Sequence, residues 1–466
     1  MPELEYIFHP RSIAVVGAST DPSNFTTKCF LKPLIQLDYK GEIYPINPKA
    51  GEILGLKAYP SILDVPGSID HVICAIKAAL TPQLMKECVT KKVRSISFFS
   101  SGFSESGKGE GIRLEKEIVE IARQGNVRII GPNCMGLYCP DSRMSYDTSF
   151  PGESGSVSFL CQSGGHSIEG IQLAAAKGIR FSKVVSFGNA SDLNETDFME
   201  YFAHDPQTKT IAVYIEGTKN GRRFADALRK ATKVKPVILI KGGVTEAGTN
   251  AVASHTGSLA GNNTIWSSLI RQSRAIQVYE LDELIDLLLL FQHLNPFHGR
   301  KVGLVGSGGG RSVLATDSCE GAGLIAPPFS LEIERRLREF VPVEVDPGTS
   351  VRNPVDSSAS GWDPNTFSQI LKTVAGFEGI DFILAYTRVT FGFEVANSLI
   401  SSLIETKQSV DKPIIMVMRQ SGEPEVASFA FGLQQRCHQA GIPTFLSFRQ
   451  ASHAISKFIQ YHEVKV

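Results

Sequence analysis

The chain has 466 residues, 42% of them hydrophobic and 20% charged, with 47 Lys plus Arg set against 47 Asp plus Glu. That length exceeds one ordinary hydrophobic core and implies two or three domains of roughly 100–200 residues each. The balanced charge excludes a general attraction to nucleic acid or to an anionic membrane, so any anion site must be local.

The first apolar run, Ser12-Ile-Ala-Val-Val-Gly17, predicts a buried strand; a helix over Lys28–Leu37 and a second strand at Glu42–Ile46 follow it. Runs starting at His71, Ser95 and Val127 read as further buried strands, separated by helical stretches. Strands alternating with helices predict an α/β, doubly wound parallel sheet whose ligands lie beyond the carboxyl ends of the strands. Gly17-Ala-Ser, Asn47-Pro-Lys, Ser101-Gly-Phe-Ser-Glu and Gly131-Pro-Asn-Cys fall at those ends, which makes the first domain a nucleotide-type binder. A second series of strands starts at Ser156, Lys183, Thr210 and Pro236 and closes with a helical segment over Glu280–Leu294. The turn Asn295-Pro-Phe-His-Gly marks a boundary, and a third series opens at Lys301 and runs through Phe382, Pro413 and Pro443. Pro342–Asn353 reads as a loop inside that third domain. The expected domains are 1–145, 150–296 and 299–466, the second and third flavodoxin-like and doubly wound.

The eight cysteines are scattered with no CxxC pair, which fits a reducing compartment better than a disulfide scaffold. Leu284–Leu290 is too short to cross a bilayer and contains Asp286, and Met-Pro-Glu-Leu-Glu lacks the features of a signal peptide. The expected location is the cytoplasm.

Three local patterns carry chemistry. Ser254-His255-Thr-Gly-Ser-Leu-Ala-Gly261 sets an imidazole among small residues, where it can act as a nucleophile or simply rest near a helix N-terminus, held by its own hydrogen bonds. Cys161-Gln-Ser-Gly-Gly-His-Ser lies between a strand and a helix, so Ser163, Gly164 and Gly165 can cradle a phosphate with backbone N–H groups; the alternative is a tight turn. Glu216 follows a strand and can fix the tautomer of an imidazole, or pair with Lys241 or Lys219. In the first domain Gly17-Ala-Ser-Thr-Asp-Pro-Ser-Asn is not GxGxxG, and Lys49 replaces the acidic residue expected of an NAD site. Lys49 suits the phosphorylated ribose of coenzyme A, would also serve NADP, or is a solvated turn residue. Cys134 has no neighbour in sequence that would lower its pKa and is not assigned as a nucleophile.

In this order, Ile13-Ala-Val-Val-Gly-Ala-Ser, Tyr44-Pro-Ile-Asn-Pro-Lys, Ser101-Gly-Phe-Ser-Glu, Gly131-Pro-Asn-Cys-Met-Gly, Gln162-Ser-Gly-Gly, the His255 octapeptide and Asn353-Pro-Val-Asp resemble the α subunits of nucleoside-diphosphate-forming acyl-CoA synthetases, the superfamily of succinyl-CoA synthetase. The closest resemblance is to the ADP-forming acetyl-CoA synthetases, over essentially the whole chain. The resemblance implies a Rossmann-like CoA-binding domain first, a phosphohistidine domain second and a ligase-CoA domain third. It implies that acyl-CoA and phosphate give acyl phosphate, which phosphorylates His255 with Glu216 as its orienting carboxylate, and that phosphohistidine then passes the group to ADP. It implies that Ser163, Gly164 and Gly165 hold phosphate and that Gly17, Ala18, Ser19, Lys49, Ile76, Glu105, Asn133 and Cys134 surround CoA. The resemblance implies that ATP-grasp domains bind the nucleotide, and the chain has neither a Walker loop nor a remaining stretch long enough for such domains. An ATP-grasp β subunit carrying ADP or ATP and Mg2+ is therefore expected as the partner, in an α2β2 assembly by the same resemblance. The chain departs from the family at Phe25-Thr26-Thr27, Lys77 and Ser273. The rival expectations are a non-catalytic CoA-binding regulator and an NADP-dependent oxidoreductase.

Overall fold

The computed structural model describes residues 4–256, 261–306, 308–341, 350–356, 363–389, 392–419 and 422–463, with backbone alone at 253–256 and 388. Its first strands are β1 (Ser12–Val16) and β2 (Glu42–Ile46), then a short hairpin of β3 (Glu52–Ile53) and β4 (Leu56–Lys57), then β5 (His71–Cys74), β6 (Ser95–Phe98) and β7 (Arg128–Ile130). Apart from the hairpin these form one parallel sheet in the order β2-β1-β5-β6-β7. All five residues of β1 are buried, because helices cover both faces of the sheet. Ala14, Val72, Ile96, Phe98 and Ile118 belong to the core on one face.

The second sheet takes β8 (Gly136–Tyr138), β9 (Val157–Cys161), β10 (Phe181–Ser186), β11 (Thr210–Ile215), β12 (Val237–Lys241) and β13 (Ile276–Val278), in the order β13-β12-β11-β9-β10-β8. It is parallel except for β8, which pairs antiparallel with β10. The third takes β14 (Val302–Gly306), β15 (Val355–Asp356), β16 (Phe382–Arg388), β17 (Ile414–Arg419) and β18 (Thr444–Phe445), in the parallel order β15-β14-β16-β17-β18. Val305, Ile383, Ile400 and Met416 lie in its core.

Leaving out β8, all three sheets share one winding: the second strand flanks the first on one side, and the third strand flanks it on the other. The connections therefore diverge between the first and third strands, and side chains at the carboxyl ends of those two strands face an open crevice. In the second sheet that crevice lies between β9, which leads into Gln162 and Ser163, and β11, which leads into Glu216. The first two sheets lie in one compact unit, Met1–Leu284, and the third lies in another, Ile285–Val466.

Several local features differ from expectation. The helix expected over Lys28–Leu37 begins as a π-turn, Thr27–Leu31, and becomes α-helical at Lys32–Gln36. His255 stands in the last turn of the helix Glu246–Thr256, not near a helix N-terminus. Most of the Pro342–Asn353 loop, at 342–349, lies outside the described residues. Asn353 works within the fold: its Oδ1 accepts the Leu304 N–H, and its Nδ2 donates to Val302 O and Pro327 O. Among the described residues no helix is long and apolar enough to cross a membrane.

Candidate active site

The helix Gly164–Ala176 starts directly after β9, with Ser163 as its N-cap. Ser163 Oγ accepts the N–H of His166 at 3.3 Å, so the N–H groups of Gly164 and Gly165 remain at the helix start as donors for an anion. Glycine at 164 lets the Met135 side chain approach the helix start closely. A Cβ there would come within 3.1 Å of Met135 Cγ.

Met135 belongs to the turn between β7 and β8, and its N–H donates to Ser186 Oγ at the end of β10, 3.1 Å away. The same turn is held from its other side: Asn189 N–H donates to Pro132 O and Ser191 N–H to Gly131 O, both at 3.0 Å. Asn133, with φ of 58°, donates its N–H to Ser100 O. Cys134 is 3% exposed, and burial pushes its thiol up to about 12, so it is no ready nucleophile. The turn that carries Asn133 and Cys134 therefore lies beside the start of the helix Gly164–Ala176.

Glu216 is 3% exposed at the end of β11. Gln162 Oε1 reaches across the crevice and accepts two buried N–H groups, those of Glu216 at 2.8 Å and Gly217 at 3.2 Å. Tyr214, two residues earlier and hence on the same face of the strand, donates its hydroxyl to Glu216 Oε1 at 3.2 Å. Of the lysines weighed as partners, Lys241 Nζ donates to the backbone oxygens of Glu216 and Gly242, and Lys219 Nζ to Ala190 O. Burial lowers Lys241 to about 8 against the opposing pull of Glu216, and its ammonium lies 5.2 Å from the centroid of the Trp266 ring. The side chain of His255 and residues 257–260 of its octapeptide lie outside the described residues. The helix bearing His255 packs against the turn Ser104–Ser106.

In the first sheet, Gly17 has φ of 97°, and a Cβ on it would lie 2.8 Å from Ala75 O and 3.2 Å from a methyl of Ile76. Its glycine is thus required where β1 and β5 end side by side. Ala18 O accepts Asn47 Nδ2, and Ser19 is clamped by Thr27, whose Oγ1 accepts the Ser19 N–H at 2.8 Å and donates to Ser19 O at 2.9 Å. Lys49 is exposed, its N–H turned onto Asn47 Oδ1 at 2.8 Å. Glu105 is committed to its own loop and to the second sheet: Oε1 accepts the Gly102 and Phe103 N–H groups, and Oε2 accepts Asn189 Nδ2 at 2.6 Å. Asn189 also donates to Glu115. Burial pushes the Glu115 carboxyl up, but hydrogen bonds from Ser104 and Asn189 outweigh it and hold it below its ordinary value.

Sequence reasoning put Gly17 at a strand end, where the structure brings it against Ile76, and put Ser163–Gly165 and Glu216 at the ends of what prove to be neighbouring strands, joined through Gln162. It passed over Gln162 as an anchor, Tyr214, His166 and Asn189. Tyr214 was signalled by its spacing from Glu216, and Gln162 by its place directly before the cradle.

Residues 11–140 match the CoA binding domain family, and residues 154–291 match the succinyl-CoA ligase like flavodoxin domain. The α subunit of acetate–CoA ligase [ADP-forming] II of Pyrococcus furiosus is 35% identical over 450 residues, 95% of this chain and 94% of that protein. The chain belongs to the family of ADP-forming acyl-CoA synthetases. Acetate–CoA ligase [ADP-forming] I of Archaeoglobus fulgidus is 33% identical over 462 residues, 99% of this chain but 64% of that protein. The solved structure of Ca. Korarchaeum cryptofilum dinucleotide forming acetyl-coenzyme A synthetase 1, in complex with phosphate and ADP, superimposes with a TM-score of 0.85 at 30% identity, over 100% of this chain and 98% of that one. Membership of this ligase family makes the chain an α-subunit-type acid–thiol ligase component with a CoA-binding first domain.

Proposed function

We propose that this ADP-forming synthetase subunit works through phospho-His255. Phosphate attacks the thioester carbonyl of acyl-CoA, forming acyl phosphate and releasing the CoA thiolate. His255 then takes the phosphoryl group from acyl phosphate, freeing the carboxylate, and passes it to ADP. The observation that carries this reading is the convergence of three parts: the N–H groups of Gly164 and Gly165, the Asn133–Met135 turn packed on Gly164, and Glu216 anchored through Gln162. Phosphoryl transfer asks for positioning and charge stabilisation, and these parts supply both. Glu216 is the carboxylate that orients the His255 imidazole. Gly17, Ala18, Ser19, Lys49, Ile76, Asn133 and Cys134 line the path of CoA, and Glu105 shapes that path through its loop.

The nucleotide and Mg2+ belong to an ATP-grasp β subunit in an α2β2 assembly. Support comes from the length comparison: the Pyrococcus relative named an α subunit is matched nearly end to end, whereas the Archaeoglobus relative extends well beyond the match. We take the domains as 1–145, 150–296 and 299–466, with β8 of the first stretch pairing into the second sheet. A cytoplasmic setting fits the eight free cysteines, seven of them buried.

The test is radiolabelled phosphate with acetyl-, isobutyryl-, phenylacetyl- and succinyl-CoA, given to the chain together with an ATP-grasp partner. Acid-labile, base-stable label that disappears in His255→Ala supports the relay and names the acid class. No label from any of the four thioesters overturns it. Lys49→Ala should raise the KM for CoA while leaving that for 3′-dephospho-CoA unchanged.

A further inference from the structure

His166 sits at the third position of the helix that begins at the cradle, and it touches both halves of the site. Its Nδ1 lies 3.1 Å from Ser163 Oγ, and its ring stacks on Tyr214 with centroids 4.4 Å apart and planes 14° from parallel. Tyr214 in turn holds Glu216 Oε1. Ser163 is 7% exposed, and among the described residues its hydroxyl meets only His166, through the backbone N–H and the ring nitrogen.

A hydroxyl has two acceptor lone pairs and one hydrogen. The His166 backbone N–H fills one lone pair of Ser163. When the ring carries its hydrogen on Nδ1, the second lone pair is filled as well, and the hydroxyl hydrogen is left to point away from His166, toward whatever the Gly164 and Gly165 N–H groups hold. With an apolar side chain at 166 the hydroxyl regains a free lone pair and is no longer bound to donate.

We propose that His166 is a positioning residue for phosphate: its Nδ1–H turns Ser163 into a committed donor to the phosphate oxygens, and its ring, stacked on Tyr214, steadies the donor to Glu216. The proposal rests on the reading of Ser163–Gly165 as the phosphate cradle. No bond is made or broken at His166; it sets the direction of one hydrogen and the place of one ring.

The test is steady-state kinetics of the assembled enzyme, varying inorganic phosphate at saturating ADP and the best labelling thioester, for His166→Leu, His166→Gln, Ser163→Ala and the His166→Leu/Ser163→Ala pair. The expected result is a KM for phosphate raised about fivefold by His166→Leu, the weight of one net hydrogen bond, with the KM for CoA in the reverse direction unchanged. His166→Gln, which offers an N–H at the same place, should recover part of that loss. The double variant should be no worse than Ser163→Ala alone, since both substitutions remove the same donation. An unchanged phosphate KM in His166→Leu, or single effects that multiply in the double variant, overturns the role of His166. Absence of phosphate-dependent label in the unsubstituted enzyme overturns the cradle reading instead.

Discussion

Gln162→Leu is the sharpest perturbation of the site, because one side-chain oxygen serves two N–H groups. In the native chain Gln162 Oε1 accepts from Glu216 at 2.8 Å and from Gly217 at 3.2 Å, and both residues are buried. Leucine preserves the volume and removes the acceptor, so both amides are stranded away from water. An orphaned buried donor costs roughly 1–3 kcal/mol, and the pair, sharing some relaxation, is expected to cost about 2–5 kcal/mol. Amide hydrogen exchange resolved at Glu216 and Gly217 reads this directly. A loss of about 2 kcal/mol of local protection speeds exchange roughly 30-fold, while amides in the first sheet keep their native rates. The Glu216 carboxylate follows its own backbone, so phosphorylation of His255 should fall at least as steeply, with CoA affinity retained. Native exchange at both amides in Gln162→Leu would refute the reasoning, since the second sheet would then hold Glu216 without this acceptor.

Four other outcomes follow from the geometry. Lys183 Nζ lies 2.9 Å from Asp205 Oδ2 with both side chains buried, so Lys183→Met, measured by urea unfolding, should lose about 3–5 kcal/mol by leaving a buried carboxylate unpaired. Burial pushes Asp205 up, but the Thr208 hydroxyl and the Lys183 ammonium outweigh it and keep it below its ordinary value. Its stabilisation is therefore present above the unfolded carboxyl pKa of about 3.9 and disappears as pH falls through the lower folded value; Asp205→Asn should abolish that part of the acid limb. Cys134, 3% exposed and pushed up to about 12, should resist iodoacetamide at pH near 8 in the native protein and react on unfolding, which peptide mass spectrometry detects. Gly17→Ala forces a Cβ to 2.8 Å from Ala75 O at φ of 97°, and should lower both the unfolding free energy, by about 1–3 kcal/mol, and the affinity for CoA measured by calorimetry.

The buried central strands were legible because parallel strands covered on both faces read as unbroken apolar runs, as in Ser12–Val16 and Val237–Lys241. Three shorter edge strands were not, although the equally short Arg128–Ile130 and Thr444–Phe445 were read within the runs at Val127 and Pro443. Ile276–Val278 and Val355–Asp356 are too brief to show a period, and Gly136–Tyr138 hides directly behind a turn motif. The π-turn at Thr27–Leu31 escaped because an extra residue in a helix leaves the apolar pattern almost unchanged. At the site, Ser163–Gly165 and Glu216 were visible through their places at strand ends. The roles of Gln162 and His166 were not, since both depend on which strand lies opposite, and that is a property of sheet order. Asn353 was singled out as a motif residue, and the structure assigns it three backbone hydrogen bonds that hold β14 and Pro327 together.

The antiparallel strand β8 has a consequence for how this protein can be divided. Only residues 131–135 separate the last strand of the first sheet, ending at Ile130, from an edge strand of the second, starting at Gly136. Expressing the CoA-binding part alone by cutting near residue 145 would carry β8 along without its partner β10, an unpaired edge prone to aggregation. Cutting before Gly136 would instead sever the turn that carries Asn133 and Cys134. The five residues 131–135 join the two sheets directly, so gene fusion or truncation cannot exchange the first sheet for another without rebuilding the turn that the proposed function places beside the thioester.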